Sequence, residues 1–366
     1  MKTEVYAKEL KELLMELCRI PAPSLHEEER ARFCVEYFRR AGFDAFCDGA
    51  NNAIAPWNVT ETNPITVFMA HTDTVFPDTS PLPIKEENGK IYCPGVGDDT
   101  ANLAILMLAA KLLKKEGIVP HEGILFVANA GEEGLGNLRG SRKIAETYGD
   151  RIKAWISFDL DRKQLFVKAV GSARYRVCIE TEGGHSYGDF GKESAIALMA
   201  KLIGELYAQP IPQAPDTKTT FNVGTISGGT SVNTIAQKAE ILYEYRSDDG
   251  TCLDIMKEQM EEIFAKYKGL TVESVGFRPG MGKCKNPALQ EKLIRDGEAS
   301  VRKGTGNTPQ QNSASTDCNI PFSLGIPALC FGLVTMEGAH TRKEWVETSS
   351  LATGLSIALD FIHKQI

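Results

Sequence analysis

The stretch VFMAHTDTVFP (Val67–Pro77) starts as a buried strand and ends in ionisable groups. The run Ile65–Ala70 is apolar enough for a strand covered on both faces. It is followed at once by His71 and Asp73, which have no packing use at the tip of a core strand. Working outward, the run belongs to a series. Ile124–Ala130, Ala154–Phe158 and Pro327–Phe331 read as further apolar strands. Ala101–Glu116 reads as a helix ending in Lys114, Lys115 and Gly117, and further helices are expected near Pro287–Arg302 and from about Ser350. Continuous apolar strands separated by helices predict an α/β domain: a mixed, mostly parallel sheet covered by helices.

The N-terminal segment carries Leu10, Leu13, Leu14 and Leu17 at helical spacing and stops at Pro21 and Pro23. The next segment, SLHE, is expected to be a capping box, with Ser24 capping and Glu27 reaching back, for a helix running to Gly42. From about Val170 the pattern changes. Tyr175, Val177 and Ile179 alternate with Arg176, Cys178 and Glu180, as in a sheet with one wet face. A helix over Glu193–Ala208, strands at Thr220–Ser227 and Ala239–Arg246, a helix over Cys252–Tyr267 and a strand at Thr271–Gly276 complete β-α-β-β-α-β. That order is the ferredoxin-like split motif. The expected organisation is therefore a discontinuous α/β domain, residues 1–168 and 278–366, with an α+β ferredoxin-like domain inserted at 169–277.

Composition limits the function. The 366 residues suggest two domains, by the prior of ~150 residues each. A net charge of −7 with mixed signs argues against nucleic acid as partner, since phosphate binding needs a basic face. Nine cysteines without a C-x-x-C pair read as reduced thiols. Charges interrupt every apolar stretch of the N-terminus, so no signal peptide is read there. The longest apolar run, Leu103–Ala110, falls far short of the ~20 residues of a membrane span. A cytoplasmic protein with no membrane partner is expected.

The residues just beyond each strand of the large domain point to chemistry. His71 and Asp73 come after the first strand, Glu132 and Glu133 in NAGEEGLG after the second, Asp159 and Asp161 in SFDLD after the third, and His340 in EGAHT after the strand near Leu329. Asp98 and Asp99 in GVGDDTAN precede the long helix. Taken singly, each has a bland explanation: an N-cap, a solvated loop, a chance H-x-D. In an open α/β sheet, however, ligands bind at the carboxyl ends of the strands. Carboxylates gathered there repel one another unless cations neutralise them. Two histidines with three or four carboxylates suit a pair of borderline divalent ions. Two such ions ~3.5–4 Å apart suit hydrolysis by water. Asp73, two residues from His71, suits the task of orienting the imidazole.

MAHTDTVFP, GVGDDTAN, GEEGLGNLRG, GGHSYGDFG, GGTSVNTIA and GAHT, in this order and spanning nearly the whole chain, resemble the aminoacylase/peptidase T family of di-zinc metallopeptidases. The resemblance implies that His71 holds one metal and His340 the other, that Asp98 bridges them, and that the peptide bond after Asp98 is cis. It implies Glu132 as general base, Glu133 as a metal ligand, and the acid after the third strand, Asp159 or its rival Asp161, as the last ligand. The inserted domain would be a lid that dimerises in some relatives. From it His185 would polarise the scissile carbonyl, and Asn233 and Arg246 would bind substrate oxygens or a carboxylate. The chain departs from the family pattern at Thr100, where Lys is frequent, and at Leu160, where Gly is frequent.

These expectations describe a hydrolase of short peptides, an exopeptidase of the di- or tripeptidase kind, using two divalent ions: zinc, or else cobalt or manganese. The alternative is an N-acyl amino acid amidohydrolase with the same centre. A different class, a calcium-binding module without catalysis, fits less well, because calcium prefers oxygen-only ligands.

Overall fold

The computed structural model describes residues 3–366. The chain divides into two compact units, one of residues up to Ala169 together with Gly282–Ile366, the other Val170–Met281.

The first unit is built on an eight-stranded sheet. Its centre is four neighbouring parallel strands: Gly123–Asn129, Ile65–His71, Ile152–Ser157 and Ala328–Phe331. Two of them, Gly123–Asn129 and Ile65–His71, are buried at every residue, as their mostly apolar sequences require. The register sets His71 beside Asn129, so the strands end level and their loops leave from one edge. Antiparallel strands Ala53–Trp57 and Phe46–Cys47 extend the sheet on one side. Gln164–Ala169 and Gln310–Ala314 extend it on the other. The helix Ala101–Lys115 packs on the C-terminal helix Thr348–His363, which also packs on Pro287–Thr305. Phe68, Phe126, Phe158, Phe331 and Phe361 join these layers in one core.

A second sheet of four short strands runs in the order Met336–Glu337, Trp345–Glu347, Lys90–Tyr92, Lys85–Glu87. It joins the segment before Gly95 to the hairpin that carries His340.

The second unit is an antiparallel sheet ordered Thr219–Gly228, Lys238–Ser247, Gly171–Glu180, Leu270–Arg278. The helices Ala195–Ala208 and Gly250–Phe264 pack against it. Val177, Ile179, Ile241 and Tyr243 meet Met199, Leu202, Met256 and Met260 in its core. Both the element order and the strand order are those of a ferredoxin-like fold.

One local expectation fails. The capping box at Ser24 does not form, and the helix Glu28–Arg40 has no side-chain cap. The Ser24 hydroxyl donates instead to the carboxylate of Asp73, at 2.7 Å. Glu27 accepts from the backbone N–H of Leu25 and pairs with Arg139. A buried carboxylate needs donors more than a helix end open to water does. Nine cysteines are free thiols, of which Cys47 is exposed. Among the described residues no helix is long and apolar enough to cross a membrane.

Candidate metal centre

The loops leaving the level strand ends deliver their side chains to one place. Ligand-capable atoms of His71, Asp98 and Asp159 lie within 4.8 Å of one another, as do those of Asp98, Glu133 and His340. Asp98 belongs to both groups. One of its oxygens is 3.0 Å from Nε2 of His71, and the other is 3.1 Å from Nε2 of His340. Oε1 of Glu133 is 3.0 Å from Nε2 of His340, and Oδ1 of Asp159 is 3.8 Å from Nε2 of His71. A third group joins His71, Glu132 and Glu133, so Glu132 is beside both. His340 is left-handed (φ 62°), a conformation that costs most L-residues about 1–2 kcal/mol but that His tolerates better than most.

Backbone N–H groups gripped by buried carboxylates hold these loops. Asp73 accepts from the N–H of Glu132 through Oδ1 (3.0 Å) and from that of Glu133 through Oδ2 (2.9 Å). Nδ1 of His71 faces the carbonyl of Asp73 at 3.0 Å and its Oδ1 at 3.5 Å. Asp73 thus orients the imidazole and also sets the position of both glutamates. Asp99, joined to Asp98 by a cis peptide, accepts from the N–H of His71 (2.9 Å) and from the side-chain amide of Asn102 (2.7 Å). Glu344 accepts from the N–H groups of Gly95, Gly97 and Asp98, at 2.9, 2.7 and 2.8 Å. Asn102 also donates to the carbonyl of Leu160 and accepts from the N–H of Leu333, tying together the segments before His340 and after Asp159. Asp317 accepts from Asn129 and from Ser141, both at 2.6 Å, on either side of the Glu132–Glu133 loop.

The electrostatics are those of a crowded acidic cluster. Burial raises Glu133 to about 7 despite its contact with His340. Burial, then the charge of Asp99, holds Asp159 well above the carboxylate range. Hydrogen bonds to Asp98 and Glu133 raise His340 to about 10. For His71, burial opposes the charged form, but Asp73 and Asp98 outweigh it and the ring is raised. Oδ1 of Asp159 is buried without a hydrogen-bond partner. An orphaned carboxylate oxygen facing a histidine nitrogen, inside a mixed His/carboxylate donor set, fits a divalent cation. The residues therefore fit two ions sharing Asp98.

The rival acid Asp161 takes no part. Its carboxylate accepts from the N–H groups of Lys163 and Met336. His185, Asn233 and Arg246 all belong to the other unit. There His185 and Asn233 come together: Gly184–His185 pairs with Thr234–Ile235, and the N–H of Ser186 donates to the carbonyl of Asn233 at 3.0 Å. Arg246 is not with them. It lies near the far end of the strand Lys238–Ser247, with Nε and Nη2 on the carboxylate of Glu244. His26, His121 and His363 are exposed. Sequence reading missed Glu344, Asn102 and Asp317. Only Asn102 stands inside a recognisable motif, GVGDDTAN, and nothing local marks the other two.

The family model described as peptidase family M20/M25/M40 matches residues 67–364. The uncharacterised protein YqjE of Bacillus subtilis is 27% identical, over 98% of this chain and 99% of its own length. A succinyl-diaminopimelate desuccinylase of Nitrosococcus oceani is 28% identical over 56% of this chain and 59% of its own. The crystal structure of a tripeptidase from Staphylococcus aureus superimposes with a TM-score of 0.79 at 25% identity, covering 97% of each chain.

Proposed function

The chain belongs to peptidase family M20/M25/M40 and is a metal-dependent hydrolase, and on that premise we propose that it cleaves amide bonds of short peptides as a di- or tripeptidase-like exopeptidase. The observation that carries this reading is Asp98 shared between the pair His71/Asp159 and the pair Glu133/His340, with Glu132 beside both. Likeness to a tripeptidase along the whole chain supports the peptide as substrate.

His71, Asp98 and Asp159 would hold one divalent ion, and Asp98, Glu133 and His340 the other, with zinc the proposed native metal. Such ions supply Lewis acidity and lower the pKa of an attacking water toward ~7. Glu132 takes the proton of that water as it attacks the carbonyl carbon, then passes it to the leaving amine. Asp73 fixes the base and its neighbour Glu133 through their backbone N–H groups, so the two carboxylates keep a set spacing. His185 accepts at Nδ1 from the N–H groups of Tyr187 and Gly188, both at 3.2 Å. With Nδ1 engaged in this way, Nε2 is the ring nitrogen proposed to polarise the scissile carbonyl. Asn233 and Arg246 are proposed to bind substrate oxygens, and two chains are proposed to pair through the inserted unit.

The desuccinylase relative favours a second reading, hydrolysis of an N-acyl amino acid by the same groups. A panel of di- and tripeptides and N-acyl amino acids, assayed with zinc, cobalt and manganese, separates the two. Turnover confined to acyl substrates would replace the peptidase reading, and no turnover on any amide would end both.

A further inference from the structure

A cavity of about 670 Å³ is lined from the strands Gln164–Ala169 and Gln310–Ala314 and the helices Pro287–Thr305 and Thr348–His363. All of its lining residues belong to the first unit, and none is among the grouped metal-binding candidates. One of them, Arg162, is half-buried, and its Nη1 is buried without a hydrogen-bond partner. Burial pushes the guanidinium below its ordinary pKa. Asp161 and Glu347 lie near enough to favour the charged form, yet neither bonds Nη1. Asp161 instead accepts from the N–H groups of Lys163 and Met336, at 2.7 and 3.2 Å. A buried donor that the chain leaves unpaired is destabilising, and it calls for an acceptor from outside the chain.

The lining decides what that acceptor is. It carries two cations, Arg162 and Lys163, and no carboxylate. The Lys163 ammonium is 3.9 Å from Asp161, too far for a hydrogen bond. Thr308, Thr335, Thr353 and Gln164 add neutral polar groups. A guanidinium takes a carboxylate or a phosphate through paired N–H donors. Ligand pockets run to about 300–1,000 Å³, so the cavity has the size for an organic molecule, and a bare oxyanion would leave most of it empty. The walls are fixed in advance. The N–H of Arg162 donates to the carbonyl of Val334 (3.0 Å), that of Gln310 to the carbonyl of Lys163 (2.9 Å), and that of Thr335 to the hydroxyl of Ser350 (3.1 Å).

We propose that this cavity is a binding site for a polar organic anion, which presents a carboxylate or phosphate group to Arg162 and hydrogen-bonding groups to the threonines. The site goes beyond the hydrolytic centre and stands whether or not the chain is a peptidase.

Malate and glycerol 3-phosphate serve as the carboxylate and phosphate probes. Their binding to the zinc-loaded full chain is measured by calorimetry at constant ionic strength, in the parent, Arg162→Met and Arg162→Lys. Any anion held by the zinc ions is common to all three chains, so the readout is the difference between them. The expected result is one site per chain that weakens about tenfold or more in Arg162→Met and is partly kept in Arg162→Lys. The tighter of the two probes identifies the oxyanion. Methionine keeps an aliphatic stem and removes a guanidinium whose buried Nη1 bonds nothing in the chain. Without added anion, Arg162→Met should therefore keep the parental urea midpoint and zinc content. Equal binding by the three chains, or no binding of either probe, overturns the proposal. So does an Arg162→Met midpoint well below the parent's, since the guanidinium would then be a structural group.

Discussion

Replacing Asp73 by asparagine tests the core of the site without changing its volume. The carboxylate is fully buried and accepts three hydrogen bonds, from the N–H of Glu132, the N–H of Glu133 and the hydroxyl of Ser24. An amide has one acceptor oxygen. If its NH2 replaces Oδ2, it faces the N–H of Glu133. If it replaces Oδ1, it faces the N–H of Glu132 and loses its contact with His71. Either way one buried backbone donor loses its acceptor, at a cost of about 1–3 kcal/mol. The orientation of His71 also loses its carboxylate, and partners of this kind typically change metal affinity or activity by about 10–100-fold. The expected result for Asp73→Asn is a lower denaturation midpoint, faster metal loss to a competing chelator, and a drop of that size in kcat/KM. A variant with reduced stability but parental turnover and metal retention would refute the link from Asp73 to the reacting groups. Parental values on all three would refute the geometry itself.

Glu132→Gln should lower kcat by about 10²–10⁴-fold while metal content stays at the parental level, measured by elemental analysis; loss of metal along with activity would make Glu132 a ligand instead. Glu344→Gln should destabilise the chain by about 2 kcal/mol in urea denaturation and weaken metal retention, because one oxygen cannot serve the N–H groups of Gly95, Gly97 and Asp98 together. Asp159→Asn should reduce the number of tightly held ions per chain, read by titration with a chromophoric chelator. Burial raises both Glu344 and Asp317 to about 7. The folded chain therefore keeps protons that the unfolded chain has released, and this stabilising contribution is complete below the ordinary carboxylate pKa and lost as pH rises through about 7. The unfolding free energy of metal-free protein, from urea denaturation, should fall between about pH 5 and pH 8 with a slope of up to about 1.4 kcal/mol per pH unit for each group, and a rise would contradict it.

The parallel core was legible because strands buried on both faces must be mostly apolar, as Ile65–Ala70 and Ile124–Ala130 are with one polar residue each, Thr66 and Asn129. The ferredoxin-like unit was legible from alternation, which Lys238–Ser247 keeps along its length. The edge strands were not. Ala53–Trp57 contains Pro56, and Gln310–Ala314 is mostly polar, as an edge open to water allows. The small sheet of two- and three-residue strands carries no period at all. Among site residues, His71, Asp98, Glu133, Asp159 and His340 stood out because each lies just beyond a strand or opens a helix. Glu344 did not, because it acts on backbone N–H groups as far as 249 positions away, and any sequence there offers the same donors.

That difference has a physical consequence for how the centre keeps its shape. Side chains crowded as closely as Asp98, Glu133 and Asp159 repel one another, so the cluster by itself cannot set its own spacing. Its geometry has to be imposed through the backbone. Asp73 does so for the Glu132–Glu133 loop, Glu344 for the turn before Asp98, and Asp99 for the end of the His71 strand. Each is itself a buried acid that accepts from main-chain donors distant in sequence, so each gains these hydrogen bonds only when the fold is complete. The cation ligands are then placed before any cation arrives, and the repulsion among them becomes binding energy for divalent ions instead of a route to local unfolding. Substitutions at the gripping acids should therefore weaken metal retention as much as substitutions at ligands do, although none of the three belongs to either group sharing Asp98.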